Sequence, residues 1–291
     1  MRRPNATYHL VAILTVVIWG LTFISTKVLL RHGLSPQEIF FYRFLIAYAG
    51  IWALVPKRLL SDNWRDELWL ALAGVCGGSL YFYTENTALG ITHVSNVAFL
   101  VCTAPLITTI LSLLLYKGER ATRGLVYGSL LALVGVALIV FGGGGALRLS
   151  PTGDLLSLAA ALSWAFYSLI IKKMAGRYST AFITRKVFFY GLLTILPAFV
   201  AEPLRPHWPT LLGTEVLLNL VFLAVLASLV CYAVWNVVLK RLGTVRATNY
   251  IYLNPLVAMV ASTLILGERM APVAIAGAAC ILLGVYLAEK R

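Results

Sequence analysis

Apolar residues run along this chain in long stretches, interrupted at short intervals by Gly/Pro clusters and groups of charges. They do not alternate with polar residues as on a half-buried strand, and they are not confined to one stripe of a helix. A helix apolar all round is deeply buried or spans a membrane, and one crossing of the hydrocarbon core takes about 20 mostly apolar residues. Breaking the chain at its interruptions predicts helices near 9–31, 36–56, 66–89, 92–116, 122–141, 152–173, 180–200, 211–240, 246–267 and 271–288. Several are longer than one crossing, which predicts tilt or projecting ends. Ten such segments leave only short connectors, so no soluble domain is expected. The first run, Leu10 to Leu30 behind Arg2 and Arg3, is too long for a signal-peptide core and lacks a small-residue cleavage site, so it reads as a retained first span.

Composition agrees with the pattern. Of 291 residues, 60% are hydrophobic and 12% charged, against roughly 45–50% and about 25% in soluble proteins. This excludes a soluble globular enzyme, and the wealth of Leu, Val and Phe excludes a disordered chain. A net charge of +13 would suggest a nucleic-acid partner if it formed a patch on a soluble fold. Here the cations sit in the connectors instead, so no nucleic-acid partner is expected. Counted on alternate connectors, eighteen Lys and Arg fall on one side and four on the other, while Lys27 and Arg43 lie within spans. The positive-inside bias then predicts cytoplasmic N- and C-termini in a cytoplasmic (inner) membrane, which requires an even number of spans. Cys76, Cys102, Cys231 and Cys280 all lie in apolar runs without metal-ligand spacing, so they read as core residues and no metal site is expected.

The two halves of the chain match each other at a nearly constant offset. Trp19 and Lys27 fall against Trp164 and Lys172 at 145; Ser79 to Tyr83 against Ser228 to Tyr232 at 149; Pro105-Leu106 against Pro255-Leu256 at 150. Gly118-Glu119-Arg120 corresponds to Gly267-Glu268-Arg269, and Gly128 and Gly135 correspond to Gly277 and Gly284, all at 149. The predicted units are residues 9–141 and 152–288, joined by a linker at 142–151 that contains Gly142 to Gly145. Each holds five spans, an odd number, so the second must enter the membrane from the opposite side. Inverted repeats are characteristic of secondary transporters, with the substrate near the midplane where the repeats meet. A duplicated helical bundle without transport is the competing structural reading.

The chain resembles the EamA family of the drug/metabolite transporter superfamily over essentially its full length. The resemblance is carried by Trp19-Gly20-Leu21-Thr22-Phe23, by Gly153-Asp154-Leu155-Leu156 with Ser163-Trp164, by Pro105 and Pro255, and by Leu266-Gly267-Glu268-Arg269. It implies an all-α integral membrane fold of ten transmembrane helices in two inverted five-helix repeats, cytoplasmic termini, and export of small metabolites, often amino acids.

Charges inside spans are expensive and therefore functional candidates. Lys27, Arg43 and Glu85 are all expected in one third of the membrane, where Glu85 would pair with one cation and exchange of partners would gate the mouth or couple a proton. Snorkelling of Lys27 and plain neutralisation of Arg43 by Glu85 are the structural alternatives. Glu119 and Glu268, each beside an Arg, read as interface pairs or loop caps. Trp19, Tyr83, Phe99, Trp164, Tyr167, Tyr232, Trp235, Tyr250 and Tyr252 are candidates for a cavity wall, with Asn86, Asn96, Asn236 and Asn254 orienting a ligand. Tyr and Trp also form interfacial belts, so each has a structural reading as well. Pro105 and Pro255 fall mid-span and predict kinks or interruptions. Gly74-xxx-Gly78 and Gly124-xxx-Gly128 predict close helix packing.

The expected function is a secondary transporter exporting amino acids or related amphipathic compounds by alternating access, as a monomer or weak homodimer in the bilayer, with a proton as candidate coupling ion and no cofactor. No P-loop is present for ATP. A nucleotide-sugar, sugar-phosphate or cationic-drug carrier is the alternative within the superfamily. A channel or membrane-embedded enzyme is the alternative outside it, although HExxH and GxSxG are both absent.

Overall fold

The computed structural model describes residues 4–54, 60–92, 94–116, 122–142, 150–204, 206–257, 260–261 and 272–289. Its elements are helical throughout, with no strand among the described residues. Helix α1 spans Pro4–Arg31 and α2 Pro36–Leu54. The third span is α3 (Trp64–Gly74), a π-helical stretch (Val75–Ser79) and α4 (Leu80–Ile91). Helices α5 (Val94–Val101) and α6 (Ala104–Leu115) make the fourth span and α7 (Arg123–Gly142) the fifth. The second half repeats the series with α8 (Pro151–Met174) and α9 (Thr180–Ile195), followed by the short α10 (Ala198–Ala201) and α11 (Trp208–Leu211). Helix α12 (Thr214–Val221), a π-helical stretch (Phe222–Val230) and α13 (Cys231–Leu242) form one continuous helical run. Helix α14 (Thr244–Asn249) leads into a 3₁₀ turn (Tyr250–Leu253) and a resumed helix, and α15 covers Pro272–Glu289. Six helices are long and apolar enough to cross a bilayer, and Pro272–Ala288 is a shorter apolar one. The outward surface suits lipid: Leu114, Leu155 and Ile275 are 75%, 69% and 56% exposed.

Local chemistry marks the helix starts. Ser35 and Glu38 form a reciprocal capping box ahead of Pro36: the Ser35 N–H donates to Glu38 Oε2 (2.9 Å), and the Glu38 N–H donates to Ser35 Oγ (3.3 Å). Asn63 Oδ1 caps α3 by accepting from the Asp66 N–H (2.9 Å), and Ser179 Oγ caps α9 by accepting from Phe182 (3.3 Å).

The two halves interlock, and several of their contacts come in matching pairs. Helix α4 packs on α8 as α13 packs on α1; α3 packs on α9 as α12 packs on α2; each π stretch packs on the second helix of the other half. The pairing of α7 with α15 fixes the relative direction of the halves. A Cβ on Gly128 would lie 2.5 Å from the Gly284 carbonyl oxygen, and one on Gly284 would lie 2.5 Å from that of Gly128. Gly135 and Gly277 are reciprocal in the same way at 2.6 Å. The earlier glycine of one helix meets the later glycine of the other, so these equivalent helices run antiparallel and the repeats are inverted. Glycine is required because the two backbones touch.

The proline positions end in interruptions rather than smooth kinks. Helix α5 stops at Val101, and α6 restarts with Pro105 in its first turn, where a missing N–H breaks no intrahelical bond. Pro255 likewise enters the resumed helix after the 3₁₀ turn. The predicted caps Glu119 and Glu268, and most of the Gly142 to Gly145 linker, lie outside the described residues.

Candidate substrate pocket between the repeats

The π stretches are where the halves are bolted together. A π turn closes i→i+5 bonds and disturbs the ordinary carbonyl pairing, and three carbonyls in these stretches accept bonds from the opposite half. Cys76 O accepts from Ser163 Oγ (2.8 Å), Gly77 O from the Tyr232 hydroxyl (2.6 Å), and Ala227 O from Trp19 Nε1 (3.0 Å). Ser228, in the second stretch, accepts from Arg43 Nε (2.9 Å).

Around this seam lies a narrow cavity of about 30 Å³, room for a water molecule or two. Trp19, Phe23, Tyr81, Phe82, Trp164 and Tyr232 supply its aromatic wall, and Arg43, Glu85 and Asn254 its polar groups. The repeat-equivalent Trp19 and Trp164 meet edge-to-face with centroids 5.3 Å apart, and Trp235 backs Trp19 at 4.9 Å. Arg43 is 2% exposed, and its guanidinium carbon lies 4.2 Å from the centre of the Phe82 ring, a cation–π contact in a dry setting. Glu85 is 7% exposed, and its Oε1 accepts from the Tyr81 hydroxyl (2.7 Å). Trp164 Nε1 and Asn254 Oδ1 are buried without a hydrogen-bond partner among the described residues.

Of the residues singled out in the sequence, the pocket gathers Trp19, Arg43, Glu85, Trp164, Tyr232 and Asn254. Lys27 is placed elsewhere: its ammonium donates to the Leu89 carbonyl near the end of α4. Tyr83 is 40% exposed on the outside of the bundle. Asn86 is fully buried and donates to Pro36 O (3.1 Å), tying α4 to the start of α2. Tyr167 donates to Asn236 Oδ1 (2.8 Å), whose amide donates to Thr184 Oγ1 (2.8 Å), a buried chain linking α8, α13 and α9. The Tyr250 hydroxyl meets His9 Nδ1 (2.5 Å), Tyr252 is fully buried in the core, and Phe99 packs partly buried against that core. Asn96 is 3% exposed.

Sequence reasoning missed Tyr81 and Phe82 as pocket residues. The signal was present: Tyr81 and Phe82 stand four and three residues before Glu85 and share its helical face, whereas Tyr83, two before it, does not.

A second polar cluster sits at the end of the bundle where α3 and α9 begin. Glu67 Oε1 takes the Lys186 ammonium and the Tyr190 hydroxyl (2.5 Å), and Glu67 Oε2 takes the Ser61 N–H (2.8 Å). Beside it Asp66 accepts from Arg177 Nη1 (2.7 Å) and from the Tyr178 hydroxyl (2.8 Å). Burial pushes the hydroxyl of Tyr178, in the connector between α8 and α9, above the ordinary phenol range, and its bond to Asp66 adds to that. These bonds join the third span of one half to the connector and helix of the other. Arg177 and Lys186 thus take their acidic partners from the third span of the first half, which the internal offset does not align with them.

A polytopic helical bundle with inverted halves and an aromatic, charge-bearing pocket at their seam has the architecture of a membrane transporter. The EamA-like transporter family model matches residues 6–141 and 151–289, and the chain belongs to that family. It is a multi-pass membrane transporter and not an enzyme. An uncharacterized transporter of Archaeoglobus fulgidus is 29% identical over 99% of both chains. A protein of Escherichia coli K12 named a probable amino-acid metabolite efflux pump is 29% identical over 95% of this chain and 92% of its own. One of Streptantibioticus cattleyicolor named a probable terminal-alkyne amino-acid exporter is 29% identical over 100% and 95%. A solved protein structure superposes with a TM-score of 0.75 at 22% identity, covering 99% of this chain and 97% of that one, a likeness of fold.

Proposed function

We propose that this transporter exports amino acids or closely related amphipathic metabolites across the cytoplasmic membrane by alternating access, with both termini in the cytoplasm. The observation that carries the reading is the pocket at the inter-repeat seam, which sets one cation and one carboxylate within an aromatic wall. Ring walls suit an apolar or aromatic side chain, and the two separate charges, Arg43 and Glu85, suit a zwitterion. Similarity to proteins named for amino-acid efflux supports the substrate class, and the excess of cations on alternate connectors supports the orientation.

In that orientation the Glu67–Lys186 and Asp66–Arg177 cluster lies on the cytoplasmic side and serves as the inner gate. Rocking one repeat against the other would part these pairs and open the pocket inward. Glu85 is the carboxylate placed to exchange a proton with the pocket. Counterflow in proteoliposomes preloaded with a panel of amino acids, with and without a pH gradient, tests the reading. Saturable exchange is the expected result, and gradient-driven accumulation would add proton coupling. Absence of exchange with every amino acid would overturn the substrate class, and non-saturable flux would overturn the carrier mechanism.

A further inference from the structure

We infer that the pocket holds its substrate as a zwitterion laid between Arg43 and Glu85, with the carboxylate in the Arg43 fork and the ammonium on Glu85. This pose rests on the reading of the chain as an amino-acid exporter and assigns each end of the substrate to a residue.

The argument begins with what is left of the guanidinium. One face of Arg43 lies on Phe82, and its Nε edge is held by Ser228. A planar guanidinium so anchored has one hydrogen-bonding edge left, the pair of terminal nitrogens. Among the described residues nothing accepts from them, although the side chain is 2% exposed and lines the pocket. That edge matches a carboxylate bidentately, with both bonds in one plane. Glu85 is the mirror case. Its Oε1 is occupied by Tyr81, and Oε2 has no donor among the described residues.

The two charges line one pocket but do not pair with each other. The ion pairs among the described residues are His32–Glu215, Arg177–Asp66 and Lys186–Glu67. Two buried opposite charges kept apart is an expensive arrangement, because each is desolvated without a direct partner. Neutral anchors, Ser228 on one and Tyr81 on the other, hold each charge where it is. A ligand carrying both charges on one carbon completes both at once. An organic cation would satisfy only Glu85 and an organic anion only Arg43. Asn254 Oδ1, buried on the same pocket without a donor among the described residues, is a second acceptor for the ammonium. The side chain then rests on the rings of Trp19, Trp164 and Tyr232.

The test compares amino acids with analogues that lack one charge: phenylalanine with phenethylamine and 3-phenylpropionate, and leucine with isopentylamine and 4-methylpentanoate. Each competes in counterflow by the reconstituted protein with the amino acid that it exchanges best. Wild type should prefer the zwitterion over either analogue by roughly tenfold or more, because each analogue leaves one buried charge unpaired. In Arg43→Gln the amino acid should fall to within about twofold of the amine, with the amine itself little changed. In Glu85→Gln it should fall to within about twofold of the acid, and Arg43→Lys, which keeps charge but not the fork, should lie between wild type and Arg43→Gln. If Arg43→Gln does not fold, the wild-type comparison alone decides. Equal weakening of amino acid and amine in Arg43→Gln, or a wild type that takes the amine as well as the amino acid, overturns the pose. With amino-acid exchange still present, those outcomes leave the exporter reading standing. Wild type that exchanges no amino acid removes both.

Discussion

At the scale of single residues, the buried polar groups divide by what satisfies them. Asn236 is fully used, accepting from Tyr167 and donating to Thr184 with all three side chains fully buried. Its replacement by Ala leaves the buried Tyr167 hydroxyl without its acceptor, whereas Thr184 still donates to Thr180 O, and the loss costs about 1–3 kcal/mol. Asn236→Ala should therefore lower the Tm clearly while leaving the Km of the folded fraction near wild type. Trp164 is different, because its ring walls the pocket and its N–H has no partner among the described residues. Trp164→Ala should raise the Km several-fold more than it lowers stability, and wild-type kinetics in this variant would place the ring outside the substrate path. For Glu85→Gln, exchange should continue with weakened affinity while the response to an imposed pH gradient disappears. An unchanged gradient response would remove Glu85 from coupling.

At the scale of elements, the two π stretches explain both the joint between the repeats and the departure from internal symmetry. They occur in the third span of each half, at Val75–Ser79 and Phe222–Val230, but extend over five and nine residues. A π turn holds more residues than an α turn, so unequal stretches leave the following helices rotated differently. Tyr83 and Tyr232 match by sequence offset, yet Tyr232 is 1% exposed on the pocket and Tyr83 is 40% exposed outside. The α7–α15 contact is the opposite case, in which symmetry is kept because glycines on both helices admit only one approach. Gly128→Leu or Gly284→Leu should force these helices apart and markedly reduce both Tm and monodisperse yield. Val134→Leu on the exposed face of α7 should change stability by no more than about 0.5 kcal/mol. Equal effects of the two kinds of substitution would show that the glycine contact does not hold α7 to α15.

At the scale of the whole molecule, side-chain bonds join the two halves at the end where α3 and α9 begin, and a charged pocket lies at the seam. The Glu67–Lys186 and Asp66–Arg177 cluster joins the two halves through few bonds, so under the proposed alternating access its weakening should shift the equilibrium between inward and outward openings rather than unfold the protein. Glu67→Gln is expected to raise the rate at which an impermeant thiol reagent, applied from the side of the termini, labels Ala104→Cys on the pocket in a background without native cysteines. Unchanged labelling, with the protein folded, would show that this cluster is not a gate.

Much of this molecule was legible in its sequence. The ten apolar segments, their interruption at Pro105 and Pro255, the internal repeat and the family follow from hydropathy, spacing and motif order, which are properties of neighbouring residues and regular offsets. Six of the candidate site residues gather on one pocket for a related reason: polar and aromatic groups within spans are costly to face toward lipid. What the linear pattern could not determine is which way each helix is turned and which distant residues it meets. Spacing placed Tyr81 on the face of Glu85, but that this face turns toward the pocket depended on helical phase after a π stretch. The union of Glu67 with Lys186 spans 119 positions, and that of Arg43 with Ser228 spans 185. Those contacts exist only once the inverted halves have packed, because packing, and not local spacing, sets the rotation of each helix about its axis.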